Sequence, residues 1–140
     1  MDHQKPFIVV VDDDEEDRYL LHCCFNELEL SDNVKFFGDP QQFMKYAELL
    51  SSLNVRPSLI ILDYEMPYMN GKGLVNFLKG HAELNNIPVV ILTNLLSDGV
   101  REQLRELGVA ASYQKGMNFE ALVADMKEIL TYAAPLEQRM

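Results

Sequence analysis

The chain has no tryptophan, only two cysteines and few basic residues. Its 140 residues include 12 lysines and arginines against 22 aspartates and glutamates, which gives a formal net charge of -10 at pH 7. Nucleic-acid binding depends on clustered Lys and Arg side chains that contact phosphates, so this composition argues against a nucleic-acid partner. No apolar stretch reaches the roughly 20 residues of a membrane span, and residues 1–6 lack the basic start and apolar core of a signal peptide. We therefore expect a cytoplasmic protein with no membrane partner.

The scarcity of cysteine also limits the kinds of site that the chain can build. Cys23 and Cys24 are adjacent, and the three histidines stand apart from them and from each other. Neighbouring cysteines on a helix cannot form an ordinary disulfide with each other, and no other ligands complete a zinc site. We interpret both cysteines as small packing residues, and we expect the chemistry of this protein to rest on oxygen and nitrogen groups.

What the sequence does contain is a regular alternation of strand-like and helix-like segments. The strand-like segments are continuous apolar runs, and the helix-like segments carry apolar residues three and four positions apart. Such a pattern predicts a doubly wound α/β fold, in which helices cover both faces of a parallel sheet. The predicted strands are residues 7–12, 34–37, 59–63, 89–93 and 110–114, and the predicted helices are residues 15–29, 40–50, 71–79, 97–107 and 118–130. Predicted helix boundaries are the N-caps Asp14, Asp39 and Ser97, Asn118 at the start of the last helix, and Gly108 at the end of the fourth.

Polar side chains follow four of the five predicted strands at their C-terminal ends. Asp12 and Asp13 follow the first strand, Asp63 the third, Thr93 the fourth and Lys115 the fifth. In a doubly wound sheet, ligands bind outside the carboxyl ends of the strands, so these groups are expected to share one crevice. Three carboxylates in one crevice repel each other, and they must bind a divalent cation or take up a proton.

The same residues resemble a known family, the receiver domain of bacterial two-component response regulators. The most specific match is residues 62–71, Leu-Asp-Tyr-Glu-Met-Pro-Tyr-Met-Asn-Gly, and the polar groups at the other strand ends stand in the family's order. The resemblance covers residues 6–131 and leaves residues 132–140 as a C-terminal tail. It implies a flavodoxin-like fold, a five-stranded parallel sheet in the order 2-1-3-4-5.

The resemblance implies a metal site for Mg²⁺ or Mn²⁺ in the acidic crevice. Asp13 and Asp63 would each provide a carboxylate oxygen, and Glu65 would provide its backbone carbonyl. Asp12 would act from the second shell or through water. Carboxylate, carbonyl and water oxygens are the ligands that Mg²⁺ prefers, which agrees with this assignment.

The resemblance also implies a phosphoryl acceptor. Asp63 would be the nucleophile that takes a phosphoryl group from a phosphohistidine. Lys115 would neutralise charge on the phosphoryl oxygens, and Thr93 would donate its hydroxyl to one of them. The chain would then be a phosphoacceptor that at most catalyses its own phosphotransfer and dephosphorylation, and not an enzyme with a separate substrate.

Several positions depart from the family pattern. Gly116 replaces the usual proline after Lys115; glycine permits unusual backbone dihedrals, so we expect a looser loop. The switch aromatic usually lies three residues before the lysine, where this chain has Ser112, and Tyr113 is one residue late. Because side chains alternate along a strand, we expect Tyr113 to lie on the other face of the sheet. Asn94, which follows the threonine, is larger than usual and is expected to narrow the access of water.

Nothing that resembles an output domain follows the region of resemblance, so the chain is expected to signal through partners. We expect a stand-alone regulator that receives its phosphoryl group from a sensor histidine kinase or a phosphotransfer protein and signals to a downstream protein effector. The first helix, over residues 18–25, is the predicted contact for the kinase. The face of the fourth and fifth strand–helix units is the predicted site for an effector or for a homodimer.

Two alternatives remain open at this point. The first is an aspartyl-nucleophile phosphatase, because Asp12 and Asp14 have the spacing of the acid pair that such enzymes carry on their first strand. The second is a pseudo-receiver that binds a protein partner without ever being phosphorylated. Turnover of a small phosphate ester would favour the first, and a protein that takes no phosphoryl group would favour the second.

Overall fold

The computed structural model describes residues 6–116 and 118–134, and within them five parallel strands form one sheet in the order β2-β1-β3-β4-β5. This is the predicted doubly wound, flavodoxin-like arrangement. Strands and helices alternate, and single turns of 3-10 helix occur at Ser31–Asn33 and Leu130–Tyr132. The strands and helices in chain order are β1 (Ile8–Val11), α1 (Glu15–Glu27), β2 (Val34–Phe37), α2 (Pro40–Ser52), β3 (Leu59–Leu62), α3 (Gly71–Lys79), β4 (Val89–Thr93), α4 (Asp98–Glu106), β5 (Ala111–Gln114) and α5 (Phe119–Ile129).

The two faces of the sheet carry two separate apolar cores, because side chains alternate along each strand. Val9, Ile60 and Ile91 belong to the core beneath α2, α3 and α4. Val10 and Ile61 belong to the core beneath α1 and α5. The strands β1, β3 and β4 are buried along their whole length, which is why they appear in the sequence as continuous apolar runs.

The predicted helix starts agree with the structure. Asp14, Asp39, Ser97 and Asn118 each occupy the residue before a helix, and each side chain accepts a backbone N–H from the first turn. Gly108 has a φ of 92° directly after the last residues of α4, as expected for a glycine that ends a helix.

Some predicted boundaries were wrong by one or two residues. The strands predicted to include Asp12 and Asp63 end one residue earlier, so both acids stand just beyond the strand. The first helix ends at Glu27 instead of residue 29, because Glu29 has a φ of 59° and cannot continue a right-handed helix. The predicted tail lies mostly outside the described residues. Within residues 6–116 and 118–134, no helix is long and apolar enough to cross a membrane.

Candidate functional site

The polar residues at the strand ends are fixed through their backbones. The N–H of Asp63 donates to the carbonyl of Val11 at 2.9 Å, and the N–H of Lys115 donates to the carbonyl of Thr93 at 2.7 Å. Asp12 is bonded in the same way to the end of β2, at 3.0 Å. Each residue therefore keeps one ladder hydrogen bond to the neighbouring strand while its side chain leaves the core and enters the crevice.

The three acids that the sequence places at the ends of β1 and β3 meet in this crevice. One carboxylate oxygen from each of Asp12, Asp13 and Asp63 lies within 4.8 Å of the others. Asp12 and Asp63 are buried, and Asp13 is partly exposed. Such close carboxylates lower their repulsion by binding a divalent cation or a proton.

The electrostatics of Asp63 show the effect of this crowding. Burial raises the pKa of Asp63 to about 6, and the charge of Asp12 adds to the shift, whereas the ammonium of Lys115 opposes it. Its Oδ1 atom is buried and has no hydrogen-bond donor among the described residues. This oxygen accepts no hydrogen bond from those residues and lies next to two further carboxylates. Such a group of carboxylate oxygens provides the ligands that a hard divalent cation prefers. The residues present therefore fit the implied metal.

Lys115 reaches the crevice from the end of β5, and its side chain is largely buried. Its Nζ atom donates to Asp12 Oδ2 at 2.8 Å, while the distance from Nζ to Asp63 Oδ2 is 3.9 Å. Burial lowers the pKa of Lys115, but its bonds to Asp12 and Asp17 outweigh burial and leave the pKa above its usual value. Lys115 is therefore charged and lies within reach of groups bound to Asp63.

Asp17 and Arg18 also reach the crevice, and the sequence did not reveal these contacts. From its position in the sequence, Asp17 is expected only to be part of the acidic start of α1, which the helix dipole favours, but its Oδ2 atom accepts from Lys115 Nζ at 2.7 Å. Arg18 Nη1 donates to the backbone carbonyl of Asp12 at 2.8 Å and thereby anchors the end of β1 to α1. The only hint in the sequence was the unusual number of acids in the first turn of α1.

Thr93, Glu65 and Asn94 line the open part of the crevice. They surround a cavity of about 220 Å³ that also contacts Asp13 and Asp63. The side chain of Thr93 is buried at the end of β4, whereas Glu65 and Asn94 are exposed. The side chain of Thr93 therefore lines the same cavity as Asp13 and Asp63.

The residues that follow Asp63 have a structural reason for their identity. Asn70 caps α3, since its side chain accepts the N–H of Gly73 at 3.0 Å. A Cβ atom at Gly71 would lie 2.9 Å from the backbone carbonyl oxygen of Asp63. The Asn-Gly pair thus lets α3 begin directly against the backbone of Asp63, which positions that residue.

The predicted offset of the aromatic residue in β5 is present. Ser112 pairs with Ile91, and Tyr113 pairs with Leu92. Leu92 belongs to the core beneath α1 and α5, and Tyr113 packs against that same core. The hydroxyl of Tyr113 donates to Glu128 Oε1 at 2.9 Å. Tyr113 is therefore held against α5, on the face opposite to the one that Ser112 occupies.

Close packing accounts for the glycine at position 116. Its φ is not in the left-handed region, so the backbone does not use the conformational freedom of glycine. Instead, a Cβ atom at this position would lie 2.8 Å from Ala121 Cβ. Glycine is required here because the loop after Lys115 packs closely against the first turns of α5.

Comparisons with known proteins agree with this geometry. The sequence model of the family described as "Response regulator receiver domain" matches residues 8–127. Because this span includes most of the chain, the protein belongs to the response regulator receiver domain family, whose members are signalling modules of two-component systems.

Curated relatives include both small and large proteins. The chain is 31% identical over 107 residues to the polar-differentiation response regulator DivK of Brucella anthropi, a match that covers 70% of this chain and 87% of DivK. It is 28% identical over 130 residues to the hybrid signal transduction histidine kinase D of Dictyostelium discoideum, which covers 92% of this chain but only 8% of the kinase. A protein-glutamate methylesterase/protein-glutamine glutaminase of Gluconobacter oxydans is 32% identical over 136 residues, which cover 94% of this chain and 36% of that protein.

Solved structures share the fold. The Mn²⁺-bound form of response regulator Rcp1 has a TM-score of 0.75 and 24% identity, and the match covers 91% of this chain and 93% of Rcp1. The phosphorylated cyanobacterial phytochrome response regulator RcpA has a TM-score of 0.80 and 23% identity, and the match covers 94% of this chain and 98% of RcpA.

Proposed function

We propose that this receiver domain accepts a phosphoryl group on Asp63 from a phosphohistidine of a sensor histidine kinase or phosphotransfer protein, and that the reaction depends on Mg²⁺ or Mn²⁺. The observation that carries the proposal is the position of Asp63. Its buried carboxylate shares the crevice with Asp12 and Asp13, its Oδ2 lies 3.9 Å from Lys115 Nζ, and its Oδ1 has no hydrogen-bond donor among the described residues.

The transfer requires little covalent machinery from the protein. A carboxylate oxygen of Asp63 attacks phosphorus, the bond between phosphorus and the donor's imidazole nitrogen breaks, and the imidazole keeps the bonding electrons. Lys115 and Thr93 are the groups that would meet the phosphoryl oxygens, since Lys115 Nζ is 3.9 Å from Asp63 Oδ2 and Thr93 lines the adjoining cavity. Phosphoryl transfer is accelerated mainly by such positioning and charge stabilisation.

Asp13, Asp63 and the backbone carbonyl of Glu65 would hold the metal, with Asp12 behind them. The divalent cation would neutralise the crowded carboxylates and the phosphoryl oxygens. Asp12 is a poor direct ligand, because its Oδ1 accepts the N–H of Asp14 and its Oδ2 accepts Lys115 Nζ. These two bonds agree with the second-shell role that the sequence implied. The fold-related Rcp1 is described as Mn²⁺-bound and RcpA as phosphorylated, and both chemistries fit this crevice.

The receiver domain spans residues 6–131, with residues 132–140 as a tail, and it signals by binding a protein effector. The surface of α4, β5 and α5 is the proposed output or homodimer surface. It is rich in polar contacts, such as that of Arg101 Nη1 with the carbonyl of Ser112 at 3.0 Å. Its use for dimerisation is tested by measuring the molar mass in solution before and after phosphorylation.

Intact-mass spectrometry tests the phosphoacceptor. Purified protein is incubated with acetyl phosphate and Mg²⁺, and one phosphoryl group is expected on the wild type and none on Asp63→Asn. Asp32→Asn is the matched control, because it makes the same chemical change at an exposed residue outside the crevice, and it should be labelled fully. Undiminished labelling of Asp63→Asn would overturn the choice of nucleophile, and a wild type that takes no label would favour a phosphorylation-independent binding module.

A further inference from the structure

The ammonium of Lys115 is shared unequally among three acids. Its Nζ atom lies 2.7 Å from Asp17 Oδ2 and 2.8 Å from Asp12 Oδ2, and both are hydrogen bonds. The distance from Nζ to Asp63 Oδ2 is 3.9 Å, which is too long for a hydrogen bond. In this state Lys115 is therefore hydrogen-bonded to the acids of β1 and α1 and makes no hydrogen bond to Asp63.

The backbone around Asp17 is held in place by the start of α1. The N–H of Asp17 donates to Asp14 Oδ1 at 3.0 Å, which is the capping bond of the helix. A negative charge in the first turn of a helix is favoured by the helix dipole. Asp17 is not one of the three acids that could share a cation, so its main partner in the crevice is Lys115.

We propose that Asp17 is a positioning residue that holds Lys115 away from Asp63 in the resting protein and thereby slows phosphorylation. The proposal rests on the proposed function and adds to it a residue that competes with the phosphoryl group for the same ammonium. An ammonium has three N–H donors; Asp12 and Asp17 occupy two of them and fix the position of Nζ, so only one donor is free for a phosphoryl oxygen. When a phosphoryl group is attached to Asp63, release of one of these acids gives Lys115 a second free donor and lets Nζ move toward the phosphoryl group.

Asp17 is the acid that gives way. The side chain of Asp12 is only 2% exposed, so breaking its ion pair would leave a buried charge without a partner. The side chain of Asp17 is 21% exposed, and water can replace the lost bond. Asp17 also adds a negative charge beside a site that must receive an anionic donor. Its removal is expected both to free Lys115 and to reduce this repulsion.

The contact itself is tested in the resting protein, without any phosphorylation. Nitrogen-15 NMR of the lysine ammonium groups should give a slowly exchanging Lys115 signal in the wild type, because the group is hydrogen-bonded and largely buried. The signal should shift and exchange faster in Asp17→Ala and Asp17→Asn. Glu16→Gln is the matched control, since it removes a charge from the neighbouring exposed residue, and it should leave the signal unchanged.

The functional consequence is tested with two readouts. One is the initial rate of labelling of Asp63 by acetyl phosphate with Mg²⁺, and the other is the affinity for beryllium trifluoride, a mimic of the phosphoryl group, followed by fluorine NMR. Both should increase about threefold to tenfold in Asp17→Ala and Asp17→Asn, the size expected for one partly exposed charged contact. Glu16→Gln should change neither by as much as about twofold.

A double-mutant cycle separates positioning from a general effect of charge. In a Lys115→Met background, Asp17→Asn should raise the affinity for beryllium trifluoride much less than it does in the wild type, because only the relief of charge repulsion remains. An equal gain in both backgrounds would show that Asp17 does not act through Lys115, and it would overturn the proposal. A wild type that takes neither phosphoryl nor beryllium trifluoride defeats the proposed function, even if NMR shows the contact. If the wild type is labelled but the Asp17 variants show the same labelling rate and the same affinity for beryllium trifluoride, the inference about Asp17 is wrong and the proposed function stands.

Discussion

Asp12, Asp13 and Asp63 follow two strands in the middle of the sheet, whereas Lys115 follows a strand at its edge. β1 and β3 each pair with strands on both sides, and all of their residues are buried. β5 pairs only with β4, and its residues are partly or fully exposed. The two sides of the crevice therefore rest on supports of different rigidity.

This difference explains how one crevice can combine fixed and adjustable charges. The acids cannot leave the crevice without disturbing the central strands, so Asp63 stays buried beside Asp12 in the folded state; its burial and, to a smaller extent, the charge of Asp12 raise its pKa. The ammonium of Lys115 stands at the end of a long side chain, and its position depends on which acids it contacts. We conclude that a bound partner or a phosphoryl group changes the positions of Lys115 and β5 more easily than the positions of the three acids.

The largest expected effect is on the stability of the central strands. Ile61→Ala in β3 removes a fully buried side chain and should lower the free energy of unfolding by about 2–5 kcal/mol. Urea unfolding followed by circular dichroism measures this change. Leu95→Ala, at an exposed site, should change the free energy by less than about 0.5 kcal/mol. If Ile61→Ala lowered the free energy of unfolding by no more than about 0.5 kcal/mol, the rigidity assigned to β3 would be contradicted.

In the absence of metal, the buried negative charge of Asp63 should lower the stability of the folded protein. Burial raises the pKa of Asp63 to about 6, so the folded protein binds this proton more tightly than the unfolded chain does. The resulting stabilisation is complete below about pH 4 and is lost as the pH rises through about 6. Asp63→Asn removes this loss and should stabilise the metal-free protein by about 1–2 kcal/mol near pH 7, but not near pH 4.

Urea unfolding with a chelator present, at several pH values, measures the effect of Asp63→Asn. Asp32→Asn provides the control, because it changes an exposed carboxylate outside the crevice. A gain in stability that did not depend on pH would mean that the charge of Asp63 is not its cause.

A smaller effect is expected on metal affinity. Asp13→Asn keeps an oxygen at the same place but removes one negative charge from the acidic crevice, so Mg²⁺ should bind about fivefold to tenfold more weakly. Titration calorimetry measures the affinity, and Glu16→Gln, an exposed residue of α1, serves as the control. Equal affinities of Asp13→Asn and wild type would remove Asp13 from the proposed metal site.

The smallest effect is expected at the edge strand. Tyr113→Phe removes the hydroxyl that donates to Glu128 and should cost about 0.5–1 kcal/mol of stability. Because Tyr113 faces α5, phosphorylation should change hydrogen exchange mainly in residues 94–99 and near Gly116, and Tyr113→Phe should leave that change intact. Hydrogen exchange measured by mass spectrometry tests this. Large changes around Tyr113 that vanish in the variant would show that the tyrosine does couple to the site.

Much of the fold could be predicted because its signals are local. Continuous apolar runs identified the central strands, and Asp14, Asp39, Ser97 and Asn118 marked the helix starts through their capping side chains. The alternation of side chains along β5 also placed Tyr113 on the correct face. The ends of β1 and β3 were less well predicted, since Asp12 and Asp63 keep one ladder bond after regular pairing stops.

The sequence by itself determined the succession of strands and helices along the chain, and the edge of the sheet that carries Asp12, Asp13, Asp63, Thr93 and Lys115. Both follow from residue periodicity and from the rule that parallel strands end together. Only the tertiary structure decided that Asp17 binds Lys115, because the two residues are 98 positions apart. It also gave the reason for Gly116, which packs against Ala121. Contacts of this kind depend on how closely two distant backbones approach, and no local pattern of residues records that distance.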